Sequence, residues 1–122
     1  PITTEQTPER CYISDGFECV EISNKIENNQ FKVAFKNQAG QSITVNKIKI
    51  TLSQPQHIDF AFIKECAFPC DWNAEEEKFI VFASKRTEMQ QGMTKINFEL
   101  TYTLQDVGIN RTAKGEVRTY LR

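Results

Sequence analysis

Four cysteines, one histidine, one tryptophan, a run of carboxylates and one glycosylation sequon are the side chains of this 122-residue chain with evident chemical capacity. The cysteines are Cys11, Cys19, Cys66 and Cys70. Four thiols in a small β-rich chain point to two disulfides, and so to an oxidising, extracytoplasmic compartment. A zinc site of four thiolates would pair its cysteines two to four residues apart at both ends. Cys66-Ala-Phe-Pro-Cys70 has that spacing, but Cys11 and Cys19 are separated by seven residues. A catalytic dithiol prefers two intervening residues ahead of a helix. Disulfides are therefore expected, with the pairing open among three connectivities.

The other groups carry weaker signals. His57 has Asp59 on its own strand face, but no Gly-x-Ser-x-Gly turn is present to offer a nucleophile. It reads as a turn-side histidine. Cys70-Asp71-Trp72-Asn73-Ala74-Glu75-Glu76-Glu77 gathers oxygen ligands without the alternating acids and central Gly of an EF-hand, and reads as a solvated acidic loop. Trp72 is expected to cover a disulfide or a sheet end; exposed, it would be the candidate contact for a sugar or a partner. Asn110-Arg111-Thr112 is the one N-x-S/T sequon, which makes Asn110 a glycosylation candidate at the turn of the final hairpin. Lys25, Lys32, Lys36, Lys47 and Lys49 are spread over several strands and read as solvated sheet faces. No catalytic residue, cofactor or metal site is expected.

The elements that must position these groups are strands. Ile96, Phe98, Leu100, Tyr102 and Leu104 alternate with polar residues, and after Gln105-Asp106-Val107-Gly108 the run Ala113, Gly115, Val117, Thr119 and Leu121 alternates back. Two period-2 runs around a Gly-containing turn predict an antiparallel hairpin. Upstream, Phe17–Ser23 and Phe31–Lys36 alternate, with an Asn-rich loop over Asn24–Gln30 between them. Asn37-Gln38-Ala39-Gly40 then reads as a hairpin connection to Ile43–Leu52. The parity slip at Asn46-Lys47 in that run predicts a β-bulge. Ile58–Ile63 gives a short strand, and the continuous apolar run Phe79–Phe82 a buried one. About seven strands with turns every ~8–14 residues predict an all-β antiparallel sandwich of immunoglobulin-like architecture. Phe31, Phe35, Phe79, Phe98 and Leu100 are expected in its core. Residues 11–122 form this domain, and the polar, proline-containing residues 1–10 read as a linker or stalk.

Composition narrows the function further. A net charge of −1 argues against a nucleic-acid partner, and 39% hydrophobic residues is ordinary for one globular domain. The apolar stretches are far shorter than the ~20 residues that span a bilayer. Since the chain starts with Pro1, a leader or membrane anchor upstream is expected.

These residues bear a family likeness. Gly16-Phe17-x-Cys19, Lys36-Asn37-x-x-Gly40, Ile43-x-Val45, Gly92, Phe98-x-Leu100-x-Tyr102 and Thr112-Ala113-Lys114-Gly115-x-Val117 together resemble the soluble domains of archaeal pilin-like secreted proteins with class III signal peptides. The resemblance spans residues 14–122. It implies a β-sandwich head facing outward from a cell surface, behind an N-terminal hydrophobic helix that assembles into a filament or anchors in the membrane. That helix is not part of this sequence, and residues 1–10 would join it to the head. The implied partners are subunits of a surface filament or a cell-surface glycan, with a membrane met only through the upstream anchor. The expectation is a non-catalytic, extracellular assembly or adhesion domain. The second expectation is a carbohydrate- or other ligand-binding module using Trp72 with Tyr102 or Tyr120, and the third an enzyme or redox protein centred on Cys66 and Cys70.

Overall fold

The computed structural model describes residues 9–122. The linker expected over residues 1–10 therefore falls mostly outside the described residues; Arg10 within it is already the first residue of a strand. Nine strands and no helix are present among the described residues: β1 (Arg10–Ile13), β2 (Phe17–Glu27), β3 (Gln30–Asn37), β4 (Ile43–Gln54), β5 (Phe60–Ile63), β6 (Cys70–Trp72), β7 (Glu77–Ala83), β8 (Gly92–Leu104) and β9 (Ile109–Leu121). They form two antiparallel sheets, one ordered β1-β9-β8-β4-β6 and the other β2-β3-β7-β5. The two strands beyond the seven expected, β1 and β6, are four and three residues long, too short to show a period.

The β8–β9 hairpin is the longest pairing, in unbroken register from Gly92↔Leu121 to Leu104↔Ile109. Its inward residues Ile96, Phe98, Leu100, Tyr102, Ala113, Val117 and Leu121 are buried, as their alternation demands. Facing them from the second sheet are Phe31, Val33, Phe35, Ile80 and Phe82. Phe82 and Phe35 each meet Phe98 edge-on, with ring centroids 5.3 and 5.9 Å apart. Such aromatic pairs add to the area they bury. Gly115 sits directly opposite Phe98 and leaves room for its ring.

Three local expectations change. The loop placed over Asn24–Gln30 is shorter: β2 runs to Glu27 and turns on Asn28-Asn29, whose φ values of 54° and 59° suit a two-residue hairpin. Asn37–Gly40 is not a hairpin connection, because β3 and β4 lie in different sheets; it carries the chain across the sandwich. Phe79 leaves the expected core. Within the continuous apolar run, Ile80 and Phe82 face inward while Phe79 points outward, half-buried under the Lys32 and Lys64 ammoniums at 5.1 and 5.9 Å. The bulge between Val45 and Lys47 is present, with a second between Ile50 and Leu52.

Candidate functional site

Disulfides join Cys11 to Cys19 and Cys66 to Cys70, and no cysteine is free. Cys11 lies on β1, the edge of the five-stranded sheet, and Cys19 on β2, the edge of the four-stranded sheet. Cys66 follows β5, the other edge of the four-stranded sheet, and Cys70 opens β6, the other edge of the five-stranded one. Each open side of the sandwich is thus closed by a covalent bond between opposite sheets. The thiols are used up in this, so neither a zinc site nor a dithiol centred on Cys66 and Cys70 exists in the oxidised chain.

Trp72 is fully buried, and its candidacy as a ligand contact is overturned. It pairs across from Ile43 on β4, packs edge-on against Phe17 at 5.5 Å, and its Nε1 donates to the Glu76 carbonyl at 2.6 Å. A buried indole needs a hydrogen-bond acceptor, and the β6–β7 turn supplies it. Tyr102, its proposed companion, is buried too; its hydroxyl donates to the Asp15 carbonyl at 3.0 Å, and its ring meets Phe17 at 5.2 Å. Burial foremost, then the nearby Asp15 carboxylate, pushes the Tyr102 pKa up against the opposing pull of Arg111. Tyr120 remains exposed.

The same end of the sandwich holds a polar residue that sequence reasoning treated only as a turn former. Asn37 is completely buried. Its Nδ2 donates to the carbonyls of Gln41, Trp72 and Asn73 at 2.8, 3.2 and 3.2 Å, and its Oδ1 accepts from Ala39 N–H at 2.8 Å. Its backbone bonds Glu75 and Glu76 as well. One amide therefore ties the sheet crossover to the β6–β7 turn and satisfies groups that water cannot reach.

Three acids of the run, Asp71, Glu75 and Glu76, make side-chain contacts. Glu76 accepts from Asn73 N–H at 2.9 Å and lies 3.3 Å from Lys78 Nζ. The Asn73 bond foremost, with Lys78, holds its carboxyl below the ordinary value despite some desolvation. Asp71 accepts from Thr44 at 2.9 Å, and Glu75 pairs with Lys36 at 3.4 Å. No group of three or more His, Cys, Asp or Glu side chains converges as a metal site among the described residues.

His57 lies 4.0 Å from Asp59, whose carboxylate accepts from Lys85 N–H at 3.1 Å. Ser53 lines the same depression of about 260 Å³, but its hydroxyl donates to the Gln56 carbonyl and accepts from Ile58 N–H. Both of its bonds run to backbone, so the three side chains form no nucleophile–base relay. Asn110 is exposed as the second residue of β9, a strand position beside the turn; its Oδ1 accepts from Thr103 at 2.7 Å. Its Nδ2, the atom that glycosylation modifies, takes no part in that bond.

The chain matches no protein-family model, no curated protein and no solved structure. The fold is a doubly disulfide-closed antiparallel β-sandwich.

Proposed function

We propose that this chain is a non-catalytic, extracytoplasmic surface domain that serves assembly or adhesion, in the manner of the heads of archaeal pilin-like proteins. The observation that carries the reading is the pair of disulfides, one at each open side of the sandwich. Such bonds persist where no reducing pool acts, and they harden a small domain against proteolysis and fraying. The supporting detail is that three polar side chains near the turns are engaged by backbone: the Glu76 carboxylate by Asn73 N–H, Asp59 by Lys85 N–H, and the Ser53 hydroxyl by the Gln56 carbonyl and Ile58 N–H. Asn110, exposed beside the β8–β9 turn, offers its Nδ2 for glycan attachment.

Surface labelling of intact cells that make the full-length protein tests this. A membrane-impermeant amine reagent should label it, and denatured protein taken directly from those cells should show no reactive thiol. Protein that is unlabelled in intact cells and carries four reactive thiols would overturn the reading. Crosslinking on the same cells separates the two roles: a ladder of linked copies marks assembly, and capture of surface glycan marks adhesion.

A further inference from the structure

The outward face of the five-stranded sheet carries a row of like charge. Arg10 stands directly opposite Arg118, and Arg118 directly opposite Lys95. Neighbouring strands lie roughly 4.8 Å apart, so three cations occupy one line roughly 10 Å long. Like charges directly opposite one another are destabilising. The next row but one on the same face follows the opposite rule: Lys114 faces Glu99, and Glu99 faces Lys49. Alternation of sign is what a merely solvated sheet face shows. Glu116, 3.6 Å from Arg118, is an anion within the cluster among the described residues. Glu9 is close in sequence, but its carboxylate already accepts from Thr119, Asn24 and Tyr120 N–H, at 2.6, 3.4 and 3.4 Å.

Aromatic rings flank the row. Tyr12, two residues beyond Arg10 on the same face of β1, is 56% exposed, and Tyr120, two beyond Arg118, is 54% exposed. Arg118 and Lys95 also line a shallow, open cavity of about 620 Å³ with Met93, Gln54 and Pro55. A flat, open trough suits a stretch of polymer better than an enclosed small molecule.

We infer that this face binds an acidic polysaccharide, with uronate or sulfate groups on Arg10, Arg118 and Lys95 and sugar rings lying against Tyr12 and Tyr120. Guanidinium groups take carboxylate or sulfate oxygens in paired hydrogen bonds, and tyrosine offers a rigid amphipathic surface to a pyranose face. The choice of a glycan over another polyanion rests on the surface reading above; the affinity for anions rests on the face alone. The face keeps Tyr120 from the ligand-binding expectation and puts the exposed Tyr12 in place of the buried Trp72 and Tyr102.

The test is binding of the oxidised chain to heparin and to polygalacturonate at low salt, with dextran as the neutral polymer and single-stranded poly-dT as the competing polyanion. An acidic polysaccharide should bind and dextran should not. Lys95→Gln with Arg118→Gln should weaken binding by about tenfold or more, as expected for lost charge-assisted hydrogen bonds. Tyr12→Ala with Tyr120→Ala should weaken it severalfold, whereas Lys49→Gln with Lys114→Gln on the same face should change it less than about twofold. Circular dichroism confirms that each variant is folded. No binding of either acidic polymer, binding indifferent to Lys95 and Arg118, or tighter binding of poly-dT would each overturn the inference. Surface exposure without polysaccharide binding defeats this inference alone; a cytoplasmic location defeats the surface reading, whatever this assay shows.

Discussion

A single methyl group at Gly115 should disturb the centre of the sandwich. An ideal Cβ built there would lie 2.4, 2.6 and 2.9 Å from Cζ, Cε1 and Cε2 of Phe98. Carbon atoms rest at about 3.5–4.0 Å, so the ring would have to retreat by roughly 1 Å. It has nowhere to go: Phe98 is buried, with Phe35 and Phe82 packed against it. Overpacking of this kind costs about 1–3 kcal/mol, and contact with three ring atoms puts Gly115→Ala near the top of that range. Relief of glycine's backbone entropy returns about 0.5–1 kcal/mol. The net loss should be about 2 kcal/mol, read as a lower urea midpoint at unchanged m value, or a Tm lower by roughly 6–10 °C. Phe98→Leu in the same chain should make the two losses less than additive by at least about 0.5 kcal/mol. A Gly115→Ala protein as stable as the parent, or strictly additive losses, would refute the view that glycine is there to seat the ring.

Asn37→Ala should cost about 3–5 kcal/mol in urea unfolding, because the carbonyls of Gln41, Trp72 and Asn73 lose a buried donor together; a loss under about 1 kcal/mol would contradict its role as a hub. Replacing Cys11 and Cys19 by Ser should lower stability by about 2.5 kcal/mol and replacing Cys66 and Cys70 by about 2 kcal/mol, the closed loops being short. The two losses should show in separate denaturation curves. Tyr102, with its folded pKa raised above the unfolded one, contributes stability that is whole below about pH 10 and is lost as the pH rises through the folded value. Absorbance titration at alkaline pH should therefore show one tyrosine ionising late, and Tyr102→Phe should abolish that component.

Residue order encodes the local backbone geometry of this chain more fully than its long-range pairing. The alternation of β8 and β9 and the parity slip at Asn46-Lys47 are backbone geometry written directly into residue order, and the structure has both. Leu52 shows where this stops. A second bulge turns it outward, and no break in the apolar spacing of Ile48, Ile50 and Leu52 announces the change. Asn37–Gly40 has the length of a hairpin loop, but turn chemistry does not say to which sheet the next strand belongs. Trp72 is hidden because β6 lies along β4, a contact between residues some 29 apart that three residues of strand cannot signal. The cationic row is less legible still, since Arg10 and Arg118 stand at opposite ends of the chain and meet only through register.

The bond between Cys11 and Cys19 also decides how this domain bears load. β1 and β9 are antiparallel neighbours, so the chain enters at Glu9 and leaves at Arg122 on the same end of the sandwich. A pull on those two ends would ordinarily unzip β1 from β9 one hydrogen bond at a time, the weakest geometry a sheet offers. Here Arg10↔Arg118 is the one strand pair outside the bond. Beyond it the tension passes through sulfur to β2 and into the opposite sheet. Peeling of β1 therefore stops at Cys11, where the covalent link to β2 begins.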